Sequence, residues 1–328
     1  MERQIRNKKV LVTGGAGFIG SNLCQALVNQ ENEVVCLDNF LTGKKDNIIS
    51  LTAYENFKLI EGDIRNIKAC EEAVKGVDII LHQAALGSIP RSIKDPATTN
   101  AINVDGFINV LIAAKNAGVK RIVYASSSSV YGSSKKLPKI EEDIGEPLSP
   151  YAITKRVNEL YAKVFADIYG MTLIGLRYFN VYGIKQDSYS TYAAVIPKFV
   201  STLIKYESPV INGDGSFSRD FTYIDDVIQI NQLAALTNNE EAYNQVFNVA
   251  VNDRNTINTL FDIIKENLAS LDSEVSTIRP VYGPGRPGDI PHSLASIEKA
   301  QKLLAYKPEN KLKDGIKKTI KWYFDNLK

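Results

Sequence analysis

Tyr151 and Lys155 lie four residues apart in a segment with helical periodicity, and together they could carry proton-transfer chemistry. On a helix this spacing places both side chains on one face. An ammonium roughly 6 Å from a phenol, at an effective dielectric of about 20, favours the phenolate by about 3 kcal/mol. We therefore predict that Tyr151 has a lowered pKa and acts as a base near neutral pH. The alternative is a solvated helix face on which this pair has no chemical role.

A run of serines precedes this pair, directly after a predicted strand at 121–126. In open parallel sheets, ligands bind at the carboxyl ends of the strands. Ser127, together with Ser128, could therefore hydrogen-bond the same substrate oxygen that Tyr151 deprotonates. A serine-rich loop is the alternative, but the order of glycine motif, serine and Tyr-x-x-x-Lys favours a catalytic group.

The glycine motif is a GxxGxxG at Gly14, Gly17 and Gly20, placed between a predicted strand and a predicted helix. Such glycines allow a tight turn, close approach of the backbone to a pyrophosphate, and packing of the helix on the strand. The N-terminus of the helix then faces the phosphates. The pattern predicts a dinucleotide site.

Two acidic residues follow the next predicted strands and could bind the adenosine half of that ligand. Asp38 ends the second strand, and Asn39 and Phe40 come after it rather than an arginine. A carboxylate there accepts hydrogen bonds from the ribose and repels a 2′-phosphate, which predicts NAD rather than NADP. Asp63 follows the third strand, where it could meet the adenine amino group or, equally well, cap a helix over 66–74.

Short apolar runs alternate with amphipathic segments in the first half of the chain, which predicts an α/β fold with a Rossmann-type doubly wound parallel sheet. The predicted strands are 9–13, 33–38, 57–62, 79–83, 121–126 and 172–178, and the predicted helices are 17–29, 68–74, 96–117 and 150–169. Gly118 and Gly170 mark two helix ends.

The second half is richer in turns, at 183–220 and 279–291, and 247–251 is predicted to return to the first domain as a strand. We predict an NAD-binding domain over 1–180, with 220–251 packed on it. The remainder, 181–328, is predicted to form a smaller, discontinuous α/β substrate-binding lobe.

Composition narrows the classes of partner. The 328 residues include 39 Lys and Arg against 37 Asp and Glu, without a basic stripe, so we expect no nucleic-acid partner. The three cysteines form no CxxC pair and the two histidines lack metal-ligand spacing, so buried thiols and no metal are expected. No apolar run has the length of a secretion signal or a membrane span, so we expect a cytoplasmic protein without a membrane partner.

In these motifs the chain resembles the extended short-chain dehydrogenases, and within them the UDP-hexose 4-epimerases. It is most similar to bacterial UDP-N-acetylglucosamine 4-epimerases of surface-polysaccharide synthesis. Besides the glycine motif, the serine strand and Tyr151/Lys155, the matching segments are 81–92, with His-Gln-Ala-Ala at 82–85, and 103–106, 177–183, 212–215, 218–220 and 286–289.

The resemblance implies that Tyr151 takes the proton of the sugar 4-hydroxyl while the C4 hydride passes to tightly bound NAD and later returns to the other face of a 4-keto sugar. Its implied catalytic residues are Tyr151, Lys155, Ser127 and Ser128. The implied cofactor contacts are Gly14, Gly17, Phe18, Ile19, Gly20, Asp38, Asn39, Gly43, Asp63, Ile64, Gln83, Ala84, Ala85, Tyr151, Lys155 and Tyr178. The implied substrate contacts are Gly87, Ser88, Ser127, Ser128, Asn180, Lys198, Asn212, Arg219, Arg286, Asp289 and Ser293.

Ser293 bears on the choice of sugar. By resemblance, epimerases restricted to non-acetylated sugars carry a tyrosine at this position, and a serine leaves room for a 2-acetamido group. We therefore expect UDP-GlcNAc and UDP-GalNAc to be preferred over UDP-glucose and UDP-galactose, unless Ser293 is an incidental loop residue. The same resemblance implies a homodimer formed through the helices near 100–117 and 150–169, although their apolar faces could equally be core.

Three other functions remain open. A 4,6-dehydratase would need an acid–base pair after Ser127, where this chain has serines. A UDP-glucose or UDP-glucuronate 4-epimerase, or a decarboxylase, remains possible because Arg91 or Lys94 could receive a carboxylate. A non-catalytic NAD-binding regulatory protein usually lacks the tyrosine or the lysine, and both are present here.

Overall fold

The computed structural model describes residues 4–188, 193–285 and 290–328. Its centre is a seven-stranded sheet in which every pairing is parallel, in the order β11-β6-β5-β4-β1-β2-β3. These strands are β1 Lys9–Thr13, β2 Glu33–Asp38, β3 Phe57–Glu61, β4 Ile79–His82, β5 Arg121–Ser127, β6 Thr172–Tyr178 and β11 Val246–Val249. The six predicted strands are therefore confirmed, with end shifts of one residue, and the fold class is Rossmann-type α/β.

The helices cover both faces of this sheet because the strand side chains alternate between two cores. In β1, Val10 and Val12 belong to one buried cluster and Leu11 to the other. The helices are α1 Phe18–Asn29, α2 Ile67–Ala73, α3 Ile89–Lys94, α4 Pro96–Asn100, α5 Gly106–Asn116, α6 Pro150–Tyr169, α7 Val195–Ile204, α8 Ile224–Leu236, α9 Ile257–Ala269, α10 Glu298–Leu304 and α11 Leu312–Leu327. None of the helices in the described part of the chain is long and apolar enough to cross a membrane.

The strand order reverses between β1 and β4. Strands β2 and β3 lie on one side of β1, whereas β4, β5 and β6 lie on its other side. In doubly wound sheets, ligands bind at the carboxyl edge beside such a reversal. The first glycine-rich turn and the residues that follow β4 and β5 therefore converge on one edge.

The helix predicted over 96–117 is divided into α4, a π-helical turn at Ala101–Asp105, and α5. The turn places the buried Asn103 amide between a backbone group and a side chain: its Oδ1 accepts from Leu86 N at 2.8 Å, and its Nδ2 donates to the Thr154 hydroxyl, Oγ1, at 3.1 Å. Tertiary hydrogen bonds therefore override the uninterrupted helical periodicity.

The second half contains a lobe built from short elements. Its small strands are β7 Val181–Tyr182, β8 Val210–Asn212, β9 Ser218–Arg219, β10 Thr222–Tyr223, β12 Asn255–Thr256 and β13 Val281–Gly283. The prediction of turns over 183–220 missed α7, which buries Phe199, Val200 and Leu203. The segment predicted to return to the sheet does so as β11, which pairs with β6.

Candidate active site

The glycine-rich turn forms a cradle that side chains would fill. Gly14 has φ +67°, and a Cβ built on it would lie 2.7 Å from Ala84 N. A Cβ on Gly20 would collide with the Gly14 carbonyl. Gly17 is the N-cap of α1 and has no side chain to cap it, so the first N–H groups of the helix can face a ligand. The cradle fits a pyrophosphate.

Asp38 lies beside this cradle, in the cleft that continues from it and is called the cofactor cleft below. Backbone amides hold the Asp38 carboxylate. Oδ2 accepts from Ala16 N at 2.9 Å, and Oδ1 accepts from Phe40 N at 2.8 Å. Burial raises the pKa of Asp38, and these hydrogen bonds oppose the increase. A Cβ on Gly43 would lie 2.9 Å from Asp38 Oδ1, so Gly43 packs behind the carboxylate.

Asp63 lines the same cleft and is held by Arg65 and Asn39. Arg65 Nη2 and Asn39 Nδ2 each donate to Asp63 Oδ2 at 2.7 Å. The Arg65 hydrogen bond is the main reason that the pKa of Asp63 is lowered to about 2. Helix α2 is capped by Asn66, whose Oδ1 accepts from Lys68 N at 3.0 Å, so the alternative reading of Asp63 as a helix cap is wrong.

Two further predicted cofactor residues, Gln83 and Tyr178, form a hydrogen-bonded pair. Tyr178 Oη donates to Gln83 Oε1 at 3.1 Å and accepts from Asn231 Nδ2 at 2.9 Å. Tyr178 therefore lies behind the cleft wall and fixes Gln83, which lines the cleft. Asn231, on α8, was missed by sequence reasoning because it is 148 residues from Gln83.

Tyr151 and Ser127 meet at a second cleft of about 350 Å³ beside the first. The Ser127 side chain lies close enough to Tyr151 to act on its hydroxyl. Burial raises the pKa of Tyr151, and Ser127 lowers it only in part. The predicted lowering by Lys155 is therefore wrong for the protein alone, because burial of the phenolate dominates and Lys155 is not among the described groups that lower the pKa of Tyr151.

Lys155 lies under the serine strand rather than in the cleft. Its Nζ donates to Ala125 O at 2.8 Å, and the side chain is buried. Burial lowers the pKa of Lys155 to about 8, while the neighbouring Glu159 raises it. The lysine links α6 to β5 within two residues of Ser127.

Most of the remaining predicted site residues line four adjoining cavities. The Tyr151 cleft is also lined by Gly87, Ser88, Ser127, Ser128, Asn180, Arg219 and Ser293. A neighbouring cavity shares Asn180 and Arg219 and adds Lys198 and Asn212. The cofactor cleft is lined by Gly14, Gly17, Asp38, Asn39, Asp63, Ile64, Gln83, Ala84 and Ala85. Phe18, Ile19 and Gly20 line the stretch that joins it to Gly87 and Ser88.

Two predicted substrate residues, Arg286 and Asp289, lie outside the described residues. The Tyr151 cleft also contains residues that sequence reasoning missed, including Lys139, Leu148 and His292. Lys139 reaches the cleft because its strand-like segment bridges to Ala295. No local motif indicates such a long-range contact.

Residues 10–250 match the NAD dependent epimerase/dehydratase family. The chain belongs to this family. It is accordingly an NAD-dependent enzyme, and the glycine cradle and Asp38 supply the groups that such a cofactor requires.

Three solved structures of similar sequence align with almost the whole of this chain. The UDP-N-acetylglucosamine 4-epimerase of Methanobrevibacter ruminantium, in complex with UDP-N-acetylmuramic acid, is 41% identical with a TM-score of 0.91, over 98% of this chain and 100% of that one. The UDP-glucose 4-epimerase of Thermotoga maritima, with UDP-glucose, is 34% identical with a TM-score of 0.89, over 98% and 100%. The UDP-glucuronic acid 4-epimerase of Bacillus cereus, with UDP-glucuronic acid and NAD, is 31% identical with a TM-score of 0.87, over 98% and 100%.

Proposed function

We propose that this enzyme interconverts UDP-N-acetylglucosamine and UDP-N-acetylgalactosamine by inversion at C4, for the synthesis of surface polysaccharides. The observation that carries the proposal is the meeting of Tyr151 and Ser127 in a cleft that adjoins the dinucleotide cradle. The similar epimerases described above support the coarser assignment to UDP-sugar 4-epimerisation.

In this mechanism Tyr151 accepts the proton of the sugar 4-hydroxyl, and Ser127 and Ser128 hold the 4-oxygen. NAD, which the glycine cradle and Asp38 would hold, would supply the hydride chemistry at C4 that allows inversion through a 4-keto sugar. Tyr151 then gives the proton back, so no proton or hydride is lost overall. Lys155 supplies positive charge beneath the serine strand, which favours the phenolate during the transfer.

The UDP moiety would lie between Arg219 and the cavity that contains Lys198 and Asn212. An arginine fork suits diphosphate oxygens because it donates two parallel hydrogen bonds. Asn180 lies between this cavity and the Tyr151 cleft, which would hold the sugar and is called the sugar cleft below. The Asn180 Nδ2 donates to Asp220 O at 2.9 Å. Arg286 stays a predicted diphosphate ligand.

Room for the acetamido group comes from small residues at the cleft wall. Ser293 lines the cleft, and its N–H donates to Ser218 O at 3.0 Å, which fixes its backbone. Gly87 also lines the cleft, and a Cβ built on it would meet nothing within 4 Å. This space supports an N-acetylated sugar over a plain hexose.

The direct test is to incubate the purified protein with UDP-GlcNAc without added cofactor and to follow the products by NMR. The expected product is UDP-GalNAc, formed with NAD that remains bound during purification. A Tyr151→Phe control should form none. Conversion of UDP-glucose but not UDP-GlcNAc would reject the acetamido preference and leave the 4-epimerase assignment intact.

UDP-glucuronate is the second candidate substrate, and Lys139 favours it. The Lys139 side chain is buried at the cleft, where its Nζ donates to Ser134 O, and none of the described residues that line the cleft is a carboxylate. An ammonium in such surroundings could bind a uronate. Turnover of UDP-glucuronate that exceeds turnover of UDP-GlcNAc, and that is lost in Lys139→Met, would favour this alternative.

We also infer a homodimer through α6. This helix exposes an apolar stripe of Ile153, Leu160, Val164 and Ile168, whose spacing places them on one side. The predicted partner helix α5 contributes the half-buried Ile108 and Ile112. Sedimentation analysis of the wild type and of Val164→Glu should give a dimer and a monomer, respectively.

A further inference from the structure

A buried carboxylate, Glu159, lies two turns after Tyr151 and one turn after Lys155 on α6. Residues at i, i+4 and i+8 share a helix face, so Glu159 points toward the same side as both. Ser126, the neighbour of Ser127 on β5, donates from Oγ to Glu159 Oε1 at 2.7 Å. Helix α6 is therefore joined to β5 at two successive residues, through Lys155 to Ala125 and through Glu159 to Ser126.

The second partner of Glu159 is Arg177 on β6, which lies opposite Ser126 in the sheet register. Arg177 Nε donates to Oε1 at 2.8 Å and Nη2 donates to Oε2 at 2.9 Å, a paired fork with both side chains buried. Arg177 Nη1 also donates to Tyr131 Oη at 3.0 Å and to Glu141 O at 2.8 Å. Arg177 thus ties the sheet, α6 and the loop after β5 to one carboxylate.

The titratable and charged groups that interact with Lys155 or Glu159 come from three strands and from α6. Arg156 lies on α6, His82 on β4, Tyr124 on β5 and Arg177 on β6, and Arg156 Nη1 donates to Glu159 Oε2 at 3.0 Å. Burial and the charge of Lys155 lower the pKa of His82 to about 3, so His82 is neutral. Burial and the Glu159 charge raise the pKa of Tyr124, so it is neutral as well. Among the described residues, Glu159 is the charged group that raises the pKa of Lys155.

We propose that Glu159 is a positioning residue of this epimerase: it sets the register of α6 against β5 so that Tyr151 and Ser127 meet, and it keeps Lys155 charged. This proposal rests on the function proposed above. Glu159 does not line the Tyr151 cleft, so it acts through Lys155 and Ser126. The hydrogen bonds of Glu159 with Arg177 and Ser126 fix the position of α6, and the negative charge of Glu159 stabilises the charged form of Lys155.

The test compares kcat and KM for UDP-sugar epimerisation between pH 6 and 10 in the wild type and in Glu159→Gln. The glutamine keeps an acceptor for Ser126 and removes the charge. We expect kcat to fall about tenfold or more with little change in KM, and the alkaline limb to move down by about one pH unit. A folded, NAD-loaded variant with the wild-type alkaline limb would overturn the proposal.

Matched variants separate position from charge. Glu159→Asp keeps the charge and should retain the wild-type alkaline limb with a lower kcat, whereas an equal shift in both variants contradicts the proposal. Ser126→Ala keeps every charge and should lower kcat without moving the limb. If Glu159→Gln fails to fold because Arg177 is left unpaired, the double variant Glu159→Gln/Arg177→Met removes that buried charge and should show the same shift.

A second readout does not depend on turnover. The ¹³Cε signal of Lys155, assigned by its loss in Lys155→Arg, should titrate at lower pH in Glu159→Gln than in the wild type. An unchanged titration would overturn the proposal even if the enzyme acts on none of the UDP-sugars. Inactive wild-type protein with a shifted titration would instead reject the proposed function alone.

Discussion

The cofactor cleft and the sugar cleft are built in different ways, although they adjoin. The cofactor cleft is assembled within 14–102, mainly from the segments that follow β1 to β4, and backbone amides and glycines provide most of its shape. The sugar cleft collects residues from 87–293, many of them in segments between the helices and strands, with Arg219 on a strand of two residues. A cleft made from backbone resists most substitutions, while a cleft made from side chains can change its ligand one residue at a time.

The sugar cleft depends on a buried carboxylate to hold these distant segments together. Asp220 Oδ1 accepts from Val251 N at 3.0 Å, and Oδ2 accepts from Ala295 N at 3.4 Å. Asp220 follows Arg219 in the sequence. Its hydrogen bond with Ala295 connects it to the segment that contains Ser293, two residues before Ala295. The two clefts can therefore be perturbed separately, which the following variants use in order of expected effect.

Tyr151→Phe should have the largest effect because it removes the proton acceptor from the point where the clefts meet. We expect kcat to fall by about 10³-fold, within the range for a lost general base. Melting temperature and bound NAD should stay near wild-type values, measured by calorimetry and by absorbance after denaturation. Activity within a factor of two of the wild type would contradict the assignment.

Gly14→Ala should damage the cofactor cleft and leave the sugar cleft intact. The new Cβ would lie 2.7 Å from Ala84 N at a backbone φ of +67°, so the cradle must shift. We expect NAD affinity to fall about 100-fold, on the order of 3 kcal/mol, measured by calorimetric titration. Gly118→Ala is the matched control, because Gly118 has φ +76° but nothing within 4 Å of its Cβ. Equal loss of NAD in both variants would contradict this distinction.

Asp220→Asn should change how stability depends on pH. Burial raises the pKa of Asp220 to about 7, above its value in the unfolded chain. The folded state then binds the proton more tightly, so this group makes the free energy of unfolding fall as the pH rises from about 4 to about 7. We expect urea unfolding to show that the free energy of unfolding decreases from pH 5 to pH 7, and that this decrease is larger in the wild type than in Asp220→Asn by about 2 kcal/mol. Parallel profiles would reject the raised pKa.

Ser293→Tyr should have the smallest effect and the most selective one. A tyrosine at this wall of the sugar cleft fills the space proposed for the acetamido group, so kcat/KM for UDP-GlcNAc should fall about tenfold relative to UDP-glucose. Binding of NAD should be unchanged because Ser293 lines only the sugar cleft among those described. Equal losses on both sugars would count against this role of Ser293.

The same difference between the clefts explains what could be predicted from the sequence. The strands and the helix that carries Tyr151 and Lys155 follow local periodicities of two or 3.6 residues, and the structure contains them where they were predicted. The position of the Lys155 side chain under the serine strand, rather than in a cleft, was not predicted. Helix α7 and the π turn at Ala101–Asp105 were missed, since packing and the Asn103 hydrogen bonds decide them. The Tyr151 pKa was predicted in the wrong direction because burial cannot be read from residue spacing.

The central claim is that C4 loses and regains its own hydride inside one closed site. The most direct measurement uses UDP-GlcNAc labelled with deuterium at C4, incubated with the protein in ordinary water and analysed by NMR. We predict UDP-GalNAc with the deuterium still at C4 and a primary isotope effect on its formation. Epimerised product with hydrogen from solvent at C4 would show removal of C4 hydrogen as a proton and would contradict the account.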